Sequence, residues 1–254
     1  MPEAPAGWPN VPVHIETFVH PHIPSHTPQV RRLFVLCEGN GETIRGHLAR
    51  TPFDYVDNRV LIEIAHYGGR RYEAAPDDTW PFMDFGITVP ARFGDISGGY
   101  ILYEYEDQDY AIFAGRELWG YPKTWGEVAL EGEGTTPSGS VRKGGKQILQ
   151  IRGDRSRPLR ALAGAAFGPH LLVHTVPNPD GPGIFSQRIL LRDTSPGYVV
   201  HRQDLFEAQV ALASVRLNDL AGLGPLKVLG GGYQIAESRM AGDHGWARVL
   251  ETVV

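Results

Sequence analysis

Nine short runs rich in β-branched and aromatic residues, at 30–38, 60–66, 87–93, 100–106, 110–114, 147–152, 171–176, 184–191 and 198–201, set the pattern of the chain. Each has strand length. Turn signals fall between them, among them Gly39-Asn40-Gly41, Gly68-Gly69, Gly98-Gly99, Gly144-Gly145 and Pro179-Asp180-Gly181, at the spacing of a meandering antiparallel sheet. Leu33-Phe34-Val35-Leu36 is continuously apolar behind two cations, and 100–106 alternates only in part, so both strands are expected to be buried on both faces or to line a barrel. Helical periodicity is sparse. Residues 204–220 carry apolar positions near helical spacing, 157–167 is rich in Ala and Leu, and 245–253 predicts a short terminal helix. The expected fold is α+β, mainly antiparallel β, in one domain over 1–254, with the Pro-rich residues 1–29 as an extended arm. No fixed-period repeat and no linker interrupts that reading.

Composition narrows the function. With 254 residues, 42% hydrophobic and 21% charged, the chain has the makeup of an ordinary globular protein, and its 31 Gly and 20 Pro agree with many turns. A net charge of −5 without a basic block removes the electrostatic footprint of a nucleic-acid binder. The single cysteine, Cys37, excludes an internal disulfide and a thiolate-rich metal site and fits a reducing compartment; within its strand it reads as core filling. The start Met1-Pro2-Glu3-Ala4 lacks the features of a signal peptide, and the longest apolar stretch, 161–173, is broken by Gly164, Gly168, Pro169 and His170. A soluble, cytoplasmic protein is expected, with neither membrane nor nucleic acid as partner.

Lysine is the informative residue. Only Lys123, Lys143, Lys146 and Lys227 occur, against twenty arginines, and Lys123 alone lies in an aromatic setting, Leu118-Trp119-Gly120-Tyr121-Pro122-Lys123-Thr124-Trp125. An amine attacks a carbonyl only when neutral, which at a pKa of ~10.4 is about one molecule in 2,500 at pH 7. Apolar surroundings formed by Trp119, Tyr121 and Trp125 are expected to pull that pKa down. By composition alone, a lysine covering aromatic surface with its stem, or a cation–π contact, accounts for the pattern better than a reactive amine does.

The segment Gly115-Arg116-Glu117-Leu118-Trp119-Gly120-Tyr121-Pro122-Lys123 resembles the active-site signature of the acetoacetate decarboxylase family, in which a Gly-Arg-Glu-Leu run leads to an aromatic residue, Pro and the lysine that forms a Schiff base. Further segments resemble the family in the same order: 60–64, 86–90, Gly98-Gly99-Tyr100, 176–181 and Leu217-Asn218-Asp219-Leu220. The resemblance implies that Lys123 is the nucleophile and that Glu63 and Asp84 are further catalytic residues, Asp84 being one methylene shorter than the family's glutamate. It implies a carboxylate-facing arginine at Arg31, or at Arg32 if the register slips by one. Arg31, Tyr100, Trp119, Tyr121 and Thr124 are the expected substrate-binding residues.

One departure stands out. Family decarboxylases place a second lysine directly after the nucleophile, where this chain has Thr124. Two ammonium groups ~6 Å apart at an effective dielectric of ~20 repel by roughly 2.8 kcal/mol, about two pKa units, and this chain lacks that contribution at position 124. Two reactions follow from the resemblance: decarboxylation of a β-keto acid, or aldolase, dehydratase or cyclase chemistry on pyruvate or another 2-oxo acid. A small-ligand-binding barrel without catalysis is the third reading. The resemblance further implies a closed, cone-like β-barrel, a keto acid as the small-molecule partner and a homo-oligomer, with no cofactor. No metal is expected either, since His20, His22 and His26 lie in the Pro-rich arm. Gly230-Gly231-Gly232 lacks the Lys-Ser/Thr ending of a phosphate loop.

Overall fold

The structure, a computed structural model, describes residues 24–73, 76–132, 134–216, 218–242 and 244–254. Among them the strands are β1 (Ser25–Glu38), β2 (Asp54–Tyr55), β3 (Arg59–Gly68), β4 (Arg71–Tyr72), β5 (Phe82–Phe93), β6 (Ile96–Glu106), β7 (Lys123–Trp125), β8 (Glu127–Glu131), β9 (Ser138–Lys143), β10 (Lys146–Pro158), β11 (His170–Pro177), β12 (Ile184–Arg192), β13 (Tyr198–Leu212), β14 (Lys227–Met240) and β15 (Arg248–Thr252). They join into one sheet in the order β15-β12-β11-β6-β5-β3-β1-β14-β13-β10-β9-β8, with β2, β4 and β7 added on β5, β1 and β6. Nearly all neighbours are antiparallel; β6 pairs in parallel with β7 and β11.

The path of pairings has two ends, β15 and β8, and does not return on itself among the described residues, which corrects the expectation of a closed barrel. The sheet curls instead. Val128 and Leu130 of β8 pack into the same core as Ile62, Ile64, Phe85 and Ile87 of the central strands. On the other face, Phe34, Leu36 and Leu61 form a second cluster with Phe167. Strands β1 and β3 are therefore covered on both sides, as the unbroken apolar run at 33–36 requires.

Three helical expectations are corrected. Residues 204–212 belong to β13, because Phe206, Ala208, Val210 and Leu212 recur every second residue and β10 and β14 are available to pair with them. Residues 159–167 form no helix or strand, and Leu162, Ala165 and Phe167 only cap the second cluster. The terminal segment is β15, hydrogen-bonded to β12. Conversely, the run 110–114 read as a strand is helical: α1 (Gly41–Leu48) is followed in the chain by α2 (Asp109–Phe113), which continues as a π-helical turn, Ala114–Leu118. Helix α1 starts where the Asn40 side chain accepts from the backbone N–H groups of Glu42 and Thr43. Of the expected arm, residues 25–29 belong to β1; residues 1–23, with His20 and His22, lie outside the described residues. Cys37 is fully buried in the main core, as expected, and burial pushes its thiol up to about 12.

Candidate active site

The cavity lies against β3, β5 and β6, holds about 120 Å³, and is walled by residues from these strands, from α2 and the π turn, and from β4, β11, β12, β13 and β14. Strand alternation explains which residues reach it. Glu104 and Glu106, two apart on β6, point to one side, with Gly86 and Asp84 opposite them on β5 and Glu63 opposite Gly86 on β3. Glycine at 86 leaves room in front of Glu63, since a Cβ there would come no nearer than 3.9 Å to Glu63 Cγ.

Lys123 enters from β7, paired in parallel with Glu104 of β6. Its side chain is 12% exposed, and Nζ donates to Glu106 Oε1 and lies 3.4 Å from Glu104 Oε1. Asp84 completes a set of three carboxylates whose oxygens fall within 4.8 Å of one another, with the ammonium as their counter-ion. The signature segment builds this approach. A Cβ at Gly115, in the π turn, would overlap Cδ and Cε of Lys123, and Gly120 turns the chain with φ +74° where its Cβ would stand 2.6 Å from the backbone of His174. Only glycine meets both demands.

The electrostatics differ from those expected. Burial draws the Lys123 ammonium down, but Glu104, Glu106 and Asp84 outweigh it, and the group is held above the ordinary lysine value. Trp125, expected to desolvate it, is 49% exposed. The strain of crowding falls on the acids instead. Burial and the neighbouring Glu104 raise Asp84 well above its usual range; burial, reinforced by Glu106 and opposed by Lys123, pushes Glu104 up to about 7; Glu106 rises for the same first reason. One oxygen of each of the three is buried without a hydrogen-bond partner, where a shared proton can sit.

Arg32, not Arg31, reaches the acidic row. Its Nε donates to Glu63 Oε2 at 3.0 Å, its terminal nitrogen NH2 pairs with the same oxygen, and NH1 donates to Gln234 at 3.2 Å. Although burial opposes it, Glu63 holds this guanidinium firmly charged. Arg31 turns to the other side of β1 and donates to His66 Nδ1 at 3.0 Å. Adjacent strand residues face opposite ways, so the one-residue ambiguity of the sequence became a choice between two faces.

The other expected residues divide. Trp119 and Tyr121 line the cavity, both buried. Tyr100 does not; its ring packs 5.2 Å from that of Phe53. The pairing of β5 with β6 slips between Ile87 and Thr88, leaving Leu102 as an extra residue, so that Ile101 and not Tyr100 falls on the cavity side. Thr124 is absent from the cavity wall and faces an outer groove that Tyr121 and Lys123 also line, where its Oγ1 accepts from Lys143 Nζ at 3.1 Å. Residues on or beside the cavity that had gone unread include Glu104, Glu106, His170 and Arg192, with Arg70 also on the wall. Two acids at i and i+2 in a run, 100–106, otherwise made of Ile, Leu and Tyr were the available signal, because carboxylates on that face must be buried together.

The sequence matches the acetoacetate decarboxylase (ADC) family over residues 11–249, so the chain belongs to that family. A curated relative, acetoacetate decarboxylase 3 of Mesorhizobium japonicum, is 33% identical over 115 residues, which cover 42% of this chain and 43% of that protein; the chain thus spans under half the length of that relative in the matched stretch. Among solved structures, an acetoacetate decarboxylase superposes with a TM-score of 0.78 at 18% identity, covering 92% of each chain. MppR, an enduracididine biosynthesis enzyme solved with pyruvate, superposes with a TM-score of 0.73 at 14% identity over 90% of each chain. At such identities both likenesses are of fold. No helix among the described residues is long and apolar enough to cross a membrane.

Proposed function

We propose that the chain is a lyase that forms a Schiff base between Lys123 and a keto acid, and that it decarboxylates a β-keto acid of the acetoacetate type. The observation that carries the reading is Lys123 Nζ inside a small cavity, in direct contact with Glu106 and 3.4 Å from Glu104. In the resting site the amine is protonated. A bound keto acid expels water, which favours a neutral amine beside a neutral acid over a charged pair, and the proton passes along a hydrogen bond already in place to a carboxylate whose affinity for it is raised. The amine lone pair then adds to the keto carbon. The carbonyl oxygen departs as water, and a protonated imine remains as the electron sink. The bond to the carboxylate breaks, its electron pair flows into the imine to give an enamine, and CO₂ leaves. The enamine carbon takes a proton from the Asp84–Glu104 pair, and water releases the ketone and the free lysine.

In this reading Arg32, placed by Glu63, meets the substrate carboxylate, and Trp119 and Tyr121 shape the wall. A second reading draws support from Thr124, which departs from the family's lysine pair: the same imine of a 2-oxo acid loses an α-proton to the acid cluster, and the enamine attacks an aldehyde. A homo-oligomeric, cytoplasmic enzyme is part of the proposal and is checked by light scattering and fractionation.

The test is intact-mass analysis and peptide mapping after borohydride trapping with acetoacetate or pyruvate. An adduct on Lys123 is expected, absent in Lys123→Arg, which keeps the charge and cannot form the imine; its mass tells whether CO₂ left first. Labelling confined to Lys143, Lys146 or Lys227 would refute the assignment.

A further inference from the structure

Three guanidinium groups, of Arg32, Arg70 and Arg192, stand on or beside the cavity, and among the described residues only that of Arg32 is paired with a carboxylate; Arg70 lies over the Tyr67 and Phe82 rings and donates to Thr27 Oγ1. Across the sheet, Arg192 (β12), His170 (β11), Glu104 (β6), Asp84 (β5), Glu63 (β3) and Arg32 (β1) stand on successive neighbouring strands, with Lys123 added beside β6. The cations are at the two ends of the row and the amine is in its middle. The curl of the sheet brings the ends within electrostatic reach of one residue, since His170 feels Glu63, Arg192, Arg32 and Lys123 together.

Arg32 is committed to Glu63. Arg192 is 8% exposed and, among the described residues, has no acidic partner. It is held by neutral groups: Nε donates to the Gly245 carbonyl at 3.2 Å, NH1 to the Tyr121 hydroxyl at 3.2 Å, and NH2 to Met240 Sδ at 3.0 Å, with the guanidinium 3.7 Å from the centre of the Trp119 ring. Each terminal nitrogen keeps one further N–H. Tyr121, accepting from Arg192, also shares a hydrogen bond with His170 Nδ1 at 2.9 Å, and His170 is the register partner of Arg192 on the neighbouring strand. A buried guanidinium without a carboxylate partner, set over an aromatic ring and pinned on the wall of a cavity, is a site for an oxyanion.

We infer that Arg192 is a second carboxylate subsite and that the cavity takes an oxo diacid, with its carbonyl at Lys123, one carboxylate at Arg32 and the other at Arg192. The inference rests on the Schiff-base reading for the position of the carbonyl, and on Arg192 itself for the second acid.

The matched pair for the test is 3-oxoglutarate and acetoacetate, which differ by one carboxylate. Borohydride trapping at Lys123 should reach half-saturation with 3-oxoglutarate at a concentration about ten- to a hundred-fold lower, the span of one or two charge-assisted hydrogen bonds. In Arg192→Gln the loss for 3-oxoglutarate should exceed the loss for acetoacetate by about the same factor, and Arg192→Lys, which retains charge without the fork, should recover part of it. Calorimetric titration with glutarate and butyrate, which form no imine, gives an independent readout of the same preference. Trapping of neither keto acid, with glutarate still favoured over butyrate in the wild type only, overturns the Schiff base and upholds the Arg192 subsite. Equal binding of glutarate and butyrate by the wild type, or equal losses for both in Arg192→Gln, overturns the subsite; if Arg192→Gln does not fold, the wild-type preference and Arg192→Lys decide.

Discussion

The backbone of Gly115 lies against the side chain of Lys123, so closely that a single methyl group at 115 would occupy the space of the lysine's Cδ and Cε and come within 3.2 Å of Nζ. The π turn over Ala114–Leu118 puts the glycine there, and the chain returns to β7 eight residues later with the lysine beneath it.

Gly115→Ala should therefore separate stability from activity. The obstructed atoms belong to a flexible stem, so the fold should lose only about 1 kcal/mol, as for mild overpacking. Nζ, however, would leave its place between Glu104 and Glu106, and misplacement of a reacting atom by about 1 Å costs on the order of a hundred-fold in rate. Thermal unfolding and borohydride trapping on the same sample check this; a wild-type trapping rate would show that Lys123 tolerates displacement.

The pH dependence of stability should carry the mark of Glu104. Its folded value of about 7 exceeds the ordinary 4.5, so the folded state binds more protons than the unfolded state between these values. Its contribution is fully present below about pH 4.5 and is lost as pH rises through about 7. Denaturant unfolding across this window should show a falling stability, with a shallower slope in Glu104→Gln. Asp84 and Glu106 shift in the same direction, so some slope remains. A slope identical in the variant would place the proton elsewhere.

Arg31→Gln and Arg32→Gln should behave differently although they are neighbours. Loss of the Arg32 guanidinium leaves Glu63 without its cation and should cost about 1–3 kcal/mol in stability, with a larger fall in trapping of keto acids than of simple ketones. Arg31→Gln removes only the contact to His66 and should change keto-acid trapping less than two- to three-fold, within about 0.5 kcal/mol. Comparable losses in both variants would return the carboxylate contact to Arg31.

Thr124→Lys tests the departure from the family's lysine pair. Thr124 faces the outer groove beside Lys143; for two ammonium groups an assumed ~10 Å apart at an effective dielectric of ~20, the repulsion is roughly 1.7 kcal/mol, about one pKa unit. The onset of borohydride trapping should move about one pH unit lower. An unmoved profile would show that the two positions are electrically insulated.

Much of this protein could be read from one dimension. The strand runs around 30–38, 60–66, 87–93 and 100–106, which carry the central sheet, announce themselves by β-branched and aromatic residues between glycine turns, since both properties are local. So does Lys123, because the signature around it combines two glycines that serve the lysine's approach with the lysine itself. What lay beyond reach depended on partners distant in the chain. Residues 204–212 became a strand only because β10 and β14 offered edges on either side, and Tyr100 left the cavity only because one extra residue at Leu102 shifted the alternation of β6 against β5. The charge state of Lys123 was decided in the same way. Its sequence neighbours are aromatic and argue for a lowered value, whereas Asp84, Glu104 and Glu106 arrive from β5 and β6 and hold it up. Arg192 stands 69 residues beyond Lys123, on another strand, and joins the wall of the same cavity only through the curl of the sheet. Local chemistry selects the strands and marks the candidate lysine; the field acting on that lysine falls off with distance in space, and that distance is set by pairing and curvature.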